Sequence, residues 1–219
     1  MACRQCQGIE DIFDDATARR ELRRYRRRGP VRTTRLLLEA LEEDGVEGRT
    51  FLDVGGGVGA VQHELLAQGA RGGVHADASP AYLETARSEA TRRGNAERMR
   101  FVLGDFLDVA EGNGAGGDPI APADFVTLDR VVCCYPDMEG LIDATARRAR
   151  RAYALVFPRV NLLTRLGFRV INLVQRLRGH PFHVFLHDTA EVEARVRAHG
   201  LRKRVHRRTF LWQIMVFFR

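Results

Sequence analysis

The chain has 219 residues, 45% of them hydrophobic, which allows one sizeable core and excludes a disordered composition. No apolar run approaches the roughly 20 residues needed to cross a bilayer. The net charge of +7 gathers in arginine clusters at 19–28, 147–151 and 202–208; these either attract anions or form solvated helix faces, so charge alone does not establish a nucleic-acid partner.

Residues 9–28 read as charged helical sequence, broken by Gly29-Pro30, and a second helix over about 31–44 carries Leu36, Leu37, Leu38 and Leu41 on its apolar side. A strand at 50–54 runs into GGGVG, and VQHELLAQG reads as a helix stopped by Gly69. A short strand at 72–76 is closed by Asp77. Ser79 caps a helix over 79–94, with Pro80 at its first position and Gly94 as its stop. A third strand spans 98–105, a loop 112–123 and a fourth strand 124–130. MEGLIDATARRARR is helical, a fifth strand covers 152–158, and residues 160–178 form a basic amphipathic segment. A helix at 189–200 precedes two strands joined by a tight turn. Strands alternating with helices from 50 to 158 predict a doubly wound α/β sheet that ends in an antiparallel pair.

The glycines after the first strand let the backbone come close to a ligand. Gly55, Gly57 and Ala60 match a dinucleotide fingerprint on paper, whereas Asp53 and Gly59 favour an S-adenosylmethionine loop. A carboxylate repels a pyrophosphate and suits the ammonium and sulfonium of S-adenosylmethionine, either directly or by fixing the loop. Asp77, about 24 residues after Asp53, is placed to accept ribose hydroxyls, with Ala78 beside it. Asp105 and Phe106 end the third strand and suit an adenine, although Asp105 also reads as a helix cap.

LDVGGGVGA, HADASPAYLETAR, GDF and DFVTLDRVVCCYPD, over residues 48–160, resemble the successive motifs of class I S-adenosylmethionine-dependent methyltransferases. The resemblance implies a Rossmann-like seven-stranded sheet with its last strand antiparallel, in a single domain over 1–219. An N-terminal helical cap (1–47) would precede a cofactor-binding core (48–219) carrying a helical insert near 160–187. It implies that Gly55, Gly57 and Gly59 line the methionine end, that Asp77 binds the ribose, that Asp105 and Phe106 meet the adenine, and that Asp129 and Arg130 border the cofactor. Tyr25 would lie in a helix closing over it.

Methyl transfer needs a base only where the acceptor is protonated. The segment LDRVVCCYPD lacks the N/D-P-P-Y/F signature of enzymes acting on exocyclic or amide nitrogens. It more distantly resembles magnesium-protoporphyrin O-methyltransferases, which esterify a carboxylate, as do YRRRGPVRTTRLLL and the region after Phe157; Cys133-Cys134 departs from that family's usual pair. The expected function is O-methylation of a small or amphipathic acidic or phenolic molecule, with Tyr135 and His187 as candidate catalytic residues. An RNA or protein methyltransferase, a thiol-assisted metalloid methyltransferase and a non-catalytic cofactor-binding protein remain alternatives.

Cys3-x-x-Cys6 and Cys133-Cys134 raise the possibility of a soft-metal or metalloid site, but adjacent cysteines on a strand point to opposite faces. No metal is expected at His183 and His187, which lack a third ligand. The N-terminus turns acidic where a secretion signal needs an apolar core, so a cytoplasmic protein with reduced thiols is expected. Residues 160–178 suit a substrate lid, a membrane-surface helix or packing against the N-terminal helices.

Overall fold

The computed structural model describes residues 8–113 and 119–219. Seven strands form one sheet: β1 (Thr50–Val54), β2 (Gly72–Asp77), β3 (Met99–Leu103), β4 (Ala123–Asp129), β5 (Ala149–Pro158), β6 (Arg202–Arg208) and β7 (Trp212–Phe218). Their order is β3-β2-β1-β4-β5-β7-β6. β7 runs antiparallel to both β5 and β6, so the expected fold class holds, antiparallel last strand included. The strand order reverses between β1 and β4, and their carboxyl ends flank the crevice where open α/β sheets bind ligands.

The helices are α1 (Ile9–Ile12), α2 (Asp15–Arg28), α3 (Arg32–Glu42), α4 (Ala60–Ala67), α5 (Pro80–Arg92), α6 (Phe106–Val109), α7 (Met138–Ala146), α8 (Leu162–Leu177) and α9 (Thr189–Ala198). On one face of the sheet Phe51, Phe125 and Val156 pack against Leu37 and Leu41 of α3 and Leu65 of α4. On the other, Val54, Leu128 and Phe157 pack against Leu141 of α7 and Val192 of α9. β5 is covered on both sides, which explains its unbroken apolar run from Ala152 to Pro158.

Four local readings change, one of them at 147–151, where the helix expected through Arg151 stops at Ala146 and β5 already begins at Ala149. The sequence expected at 9–28 is interrupted at Phe13-Asp14: Asp14 caps α2 by accepting the Thr17 N–H at 2.8 Å. The Phe13 carbonyl accepts the Ser79 hydroxyl at 2.7 Å, and its ring meets those of Tyr82 and Phe182 at centroid distances of 5.6 and 5.7 Å. The third strand stops at Leu103 because Asp105 caps α6 through the Leu107 N–H at 3.0 Å. Cys133 and Cys134 lie on a 3-10 turn, Val132–Cys134, and not on a strand.

Several arginines of the basic clusters have internal partners. Arg148 is buried and donates to the carbonyls of Ile120, Ala144 and Ala110 at 2.9, 2.6 and 2.6 Å. Arg26 of α2 joins Arg92 and Arg93 around the buried carboxylate of Glu89, tying α2 to α5; their hydrogen bonds hold Glu89 well below the usual carboxylate range despite its burial.

Candidate active site

The crevice between β1 and β4 opens into a cleft with about 870 Å³ of empty space, its mouth included. Val54, Gly55 and Gly57 form its floor, Asp77 and Ala78 one wall, Gly104 and Phe106 another, and Asp129, Arg130, Val131, Cys134 and Tyr135 the side toward β4. Ile9, Phe13 and Glu21 of the N-terminal segment close over it, with Tyr82 of α5 beneath.

Asp53 and Asp77 end adjacent parallel strands but have different surroundings. Successive strand residues point to opposite faces, so with Val54 in the cleft Asp53 points into the sheet's other side. Asp53 is fully buried, and one of its oxygens accepts the Thr127 hydroxyl at 2.7 Å. Burial pushes its carboxyl up to about 7. The glycine loop passes directly over Asp53 and the buried His75: a Cβ on Gly56 would lie 2.5 Å from Asp53 Oδ2 and 2.5 Å from His75 Cε1. Asp53 therefore lies beneath the loop and outside the cleft lining, and its Oδ2, the oxygen nearest the loop, has no hydrogen-bond partner among the described residues.

Asp77 faces the cleft. Its Oδ2 accepts the Gly57 N–H at 2.9 Å and its Oδ1 the Ser79 N–H at 2.8 Å. Gly57 donates from a backbone at φ +58°, a conformation that favours glycine. Burial pushes Asp77 up to about 6, against the pull of those N–H groups. A carboxylate has about four acceptor positions, so these backbone bonds do not exhaust it.

At the β3 end Phe106 lines the cleft, but Asp105 does not. The Asp105 carboxylate caps α6 and accepts the Tyr135 hydroxyl, which in turn accepts the Phe106 N–H at 3.1 Å. Asp105 thus positions Phe106 and Tyr135, and it is not itself among the lining residues. Tyr135 does line the cleft. His187 does not: its Nε2 donates to the Tyr135 carbonyl at 3.0 Å, and burial lowers its pKa. The segment carrying it also donates the Phe185 N–H to the Cys133 carbonyl at 2.8 Å. His187 therefore fastens the 132–135 turn and stands outside the cleft lining.

Asp129 and Arg130 both reach the cleft. Asp129 accepts from the Thr34 hydroxyl and from Arg130 Nε, the latter at 3.2 Å. Arg130 has φ +65°, uncommon for a residue with a side chain, and its N–H is held by the Val156 carbonyl at 2.8 Å.

Two further expected residues lie outside the cleft lining. Gly59 lies outside the cleft lining and opens α4 at φ +80°, where a Cβ would meet the Gln62 side chain. Tyr25 is buried behind the lining, donating to Glu64 at 2.7 Å and stacking on His63; Glu21, one helical turn earlier, is the residue of α2 that reaches the cleft. The sulfurs of Cys133 and Cys134 are 4.0 Å apart on their turn, and only Cys134 lines the cleft. The hydrogen bond between them raises Cys133 and lowers Cys134. Cys3 and Cys6 lie outside the described residues. Among the described residues no His/Cys/Asp/Glu group has the makings of a metal site.

Sequence reasoning did not single out Ile9, Phe13, Glu21, Tyr82 and Gly104 as lining residues. The Asp14-x-x-Thr17 cap was a signal that the helix restarts after Phe13 and frees that ring to turn inward.

No protein-family model matches the chain, and no curated protein matches it by sequence. Solved structures do match it. Magnesium protoporphyrin IX methyltransferase from Synechocystis PCC 6803, with bound SAM, is 17% identical over all of this chain and 98% of its own, with a TM-score of 0.68. An O-methyltransferase family protein from Burkholderia thailandensis is 20% identical over 87% of this chain and 57% of its own, with a TM-score of 0.65. Geranyl diphosphate methyltransferase in complex with GPP and sinefungin is 13% identical over 84% of this chain and 76% of its own, with a TM-score of 0.64. These likenesses establish that the chain has the Rossmann-like methyltransferase fold.

Proposed function

We propose that this chain is an S-adenosylmethionine-dependent methyltransferase acting on an oxygen of a small or amphipathic acidic or phenolic molecule. The observation that carries the cofactor is the charge of the cleft. Glu21, Asp77 and Asp129 bring three carboxylates to its wall against the one guanidinium of Arg130. Such a lining repels the pyrophosphate of a dinucleotide and suits a ligand with an ammonium, a sulfonium and a ribose diol. When bound, S-adenosylmethionine supplies a methyl group activated by positive sulfur.

The chain's own residues do the rest. Asp77 binds a diol through its remaining acceptor positions, and its two backbone donors fix its orientation. Phe106 gives an apolar face for a purine, held by the Tyr135 hydroxyl on its N–H. Ile9, Phe13 and Val131 exclude water, which strengthens every charge interaction inside. Arg130 is placed to hold an anionic acceptor, with Asp129 restraining its guanidinium. No histidine or lysine is among the lining residues, and a carboxylate acceptor, ionised at neutral pH, requires no base. The likeness in fold to enzymes named for a porphyrin and for a prenyl diphosphate agrees with an amphipathic acceptor.

Calorimetric titration with S-adenosylmethionine and with NAD is the first test. Micromolar binding of the former, with none of the latter, is expected; the reverse would return the dinucleotide reading. Labelled methyl donor is then offered with aryl and alkyl carboxylates, phenols, arsenite, RNA and protein. Label in carboxylates or phenols supports the proposal. Label only in RNA, protein or arsenite, or tight binding without turnover, assigns the cleft to one of the alternatives.

A further inference from the structure

Helix α8 presents its apolar side away from the protein. The side facing inward carries buried Thr164 and partly buried Phe168, Asn172 and Gln175. On the outer side Leu162, Leu166, Val170, Leu173 and Leu177 are 85, 57, 52, 54 and 79% exposed. A helix on the surface of a globular protein ordinarily turns its apolar stripe toward the core.

Polar contacts fix this orientation. Asn161 and Thr164 form a capping box, at 2.9 and 3.0 Å. Asn172 pairs with the Val184 backbone in both directions, donating at 2.8 Å and accepting at 2.9 Å. Rotating the helix to bury its leucines would break both sets. The apolar surface continues onto the β6–β7 hairpin tip, where Phe210 is 73% exposed. The Leu211 carbonyl there accepts the Arg159 N–H at 2.8 Å, which seats the tip beside the start of α8.

Charge says what covers this face. Arg165, Arg169 and Arg176 fall together along one edge of the apolar arc, all exposed, and no acidic residue occurs anywhere in the helix. A second copy of the same helix would bring like charges together with no carboxylate between them. An anionic lipid surface complements both parts, with leucines among the acyl chains and guanidiniums at the phosphates. The helix is about 24 Å long, and no helix among the described residues is long and apolar enough to cross a membrane. We propose that α8 and the β6–β7 tip seat the protein on an anionic bilayer, with α8 lying in the plane of the interface. The proposal stands apart from the methyl-transfer reading, because docking is measured without cofactor or acceptor.

The test is co-sedimentation of the full chain with phosphatidylcholine vesicles, with and without phosphatidylglycerol. Wild type is expected to pellet with the anionic vesicles. Leu166→Glu/Leu173→Glu is expected to bind at least about tenfold more weakly. Arg165→Gln/Arg169→Gln is expected to lose about fivefold per arginine, and only on anionic vesicles. The substituted side chains are exposed, so circular dichroism and melting temperature should match wild type. No vesicle binding by folded wild type overturns the proposal, as does binding that the leucine substitutions leave unchanged. A concentration-dependent dimer that those substitutions dissolve, without vesicle binding, would assign the face to a second copy.

Discussion

The glycine loop after β1 and helix α8 handle burial in opposite ways. In the loop, backbone passes within van der Waals contact of a buried carboxylate and a buried imidazole, and side chains are absent where they would clash. In α8 an apolar stripe stays in solvent while Thr164, Asn172 and Gln175, with Phe168, face the protein. The loop gives up side chains to fit its own neighbours. The helix keeps side chains that its own neighbours do not use. Tight internal fit marks the first region as the floor of a site, and the missing internal fit marks the second as a surface for something else.

The largest expected effect comes from the acid beneath the loop. Burial raises Asp53 to about 7 from an ordinary 3.8, so the folded chain keeps a proton that the unfolded chain has released. Its contribution to stability is complete below about pH 4 and is lost as pH rises through about 7. An asparagine has no such dependence. Asp53→Asn should therefore gain on wild type between about pH 4 and pH 7, by on the order of 4 kcal/mol, in paired urea melts. His63 and His75, pushed down by burial to about 4 and about 3, contribute in the opposite sense. They are common to both chains and drop out of the difference. A constant gap across this range would show that Asp53 is ionised in the folded protein.

The neighbouring acid should behave otherwise. Asp77→Ala removes the acceptor for the Gly57 and Ser79 N–H groups as well as the proposed ribose contact. S-adenosylmethionine affinity should fall about 100-fold by calorimetry. An unchanged affinity would remove Asp77 from the site and erase the contrast with Asp53. Gly56→Ala acts on the underside of the loop, where the new methyl would sit 2.5 Å from Asp53 Oδ2. It should cost about 2 kcal/mol and lower the melting temperature by roughly 4–8 °C.

Much of this was legible in the sequence, and the rest failed for local reasons. β1 fell at 50–54 as expected, and Ser79-Pro80 opened α5 as expected, because alternation and caps are short-range signals. The acids at three strand ends were equally visible, but their directions were not. Asp53 faces away because Val54 takes the cleft side, and Asp105 is engaged by its cap and by Tyr135 from 30 residues away. Glu21 was passed over for Tyr25 because both lie on one helix face, one turn apart. The period of 160–178 gave a helix but not its facing, which two asparagines and a threonine decide through contacts with chain beyond the helix itself.

The smallest effects test that facing directly. Asn172→Ala leaves the Val184 N–H and C=O without their partners and should cost about 1–2 kcal/mol in thermal or urea unfolding. Leu173→Ser, the next residue, removes an apolar side chain that is 54% exposed and should change stability by less than about 0.5 kcal/mol. In an ordinary amphipathic helix the ranking is reversed, because the leucine carries the packing and the asparagine is solvated. If Leu173→Ser is the more damaging change, the apolar stripe is already covered in the free protein. The vesicle experiment would then have no open face to engage.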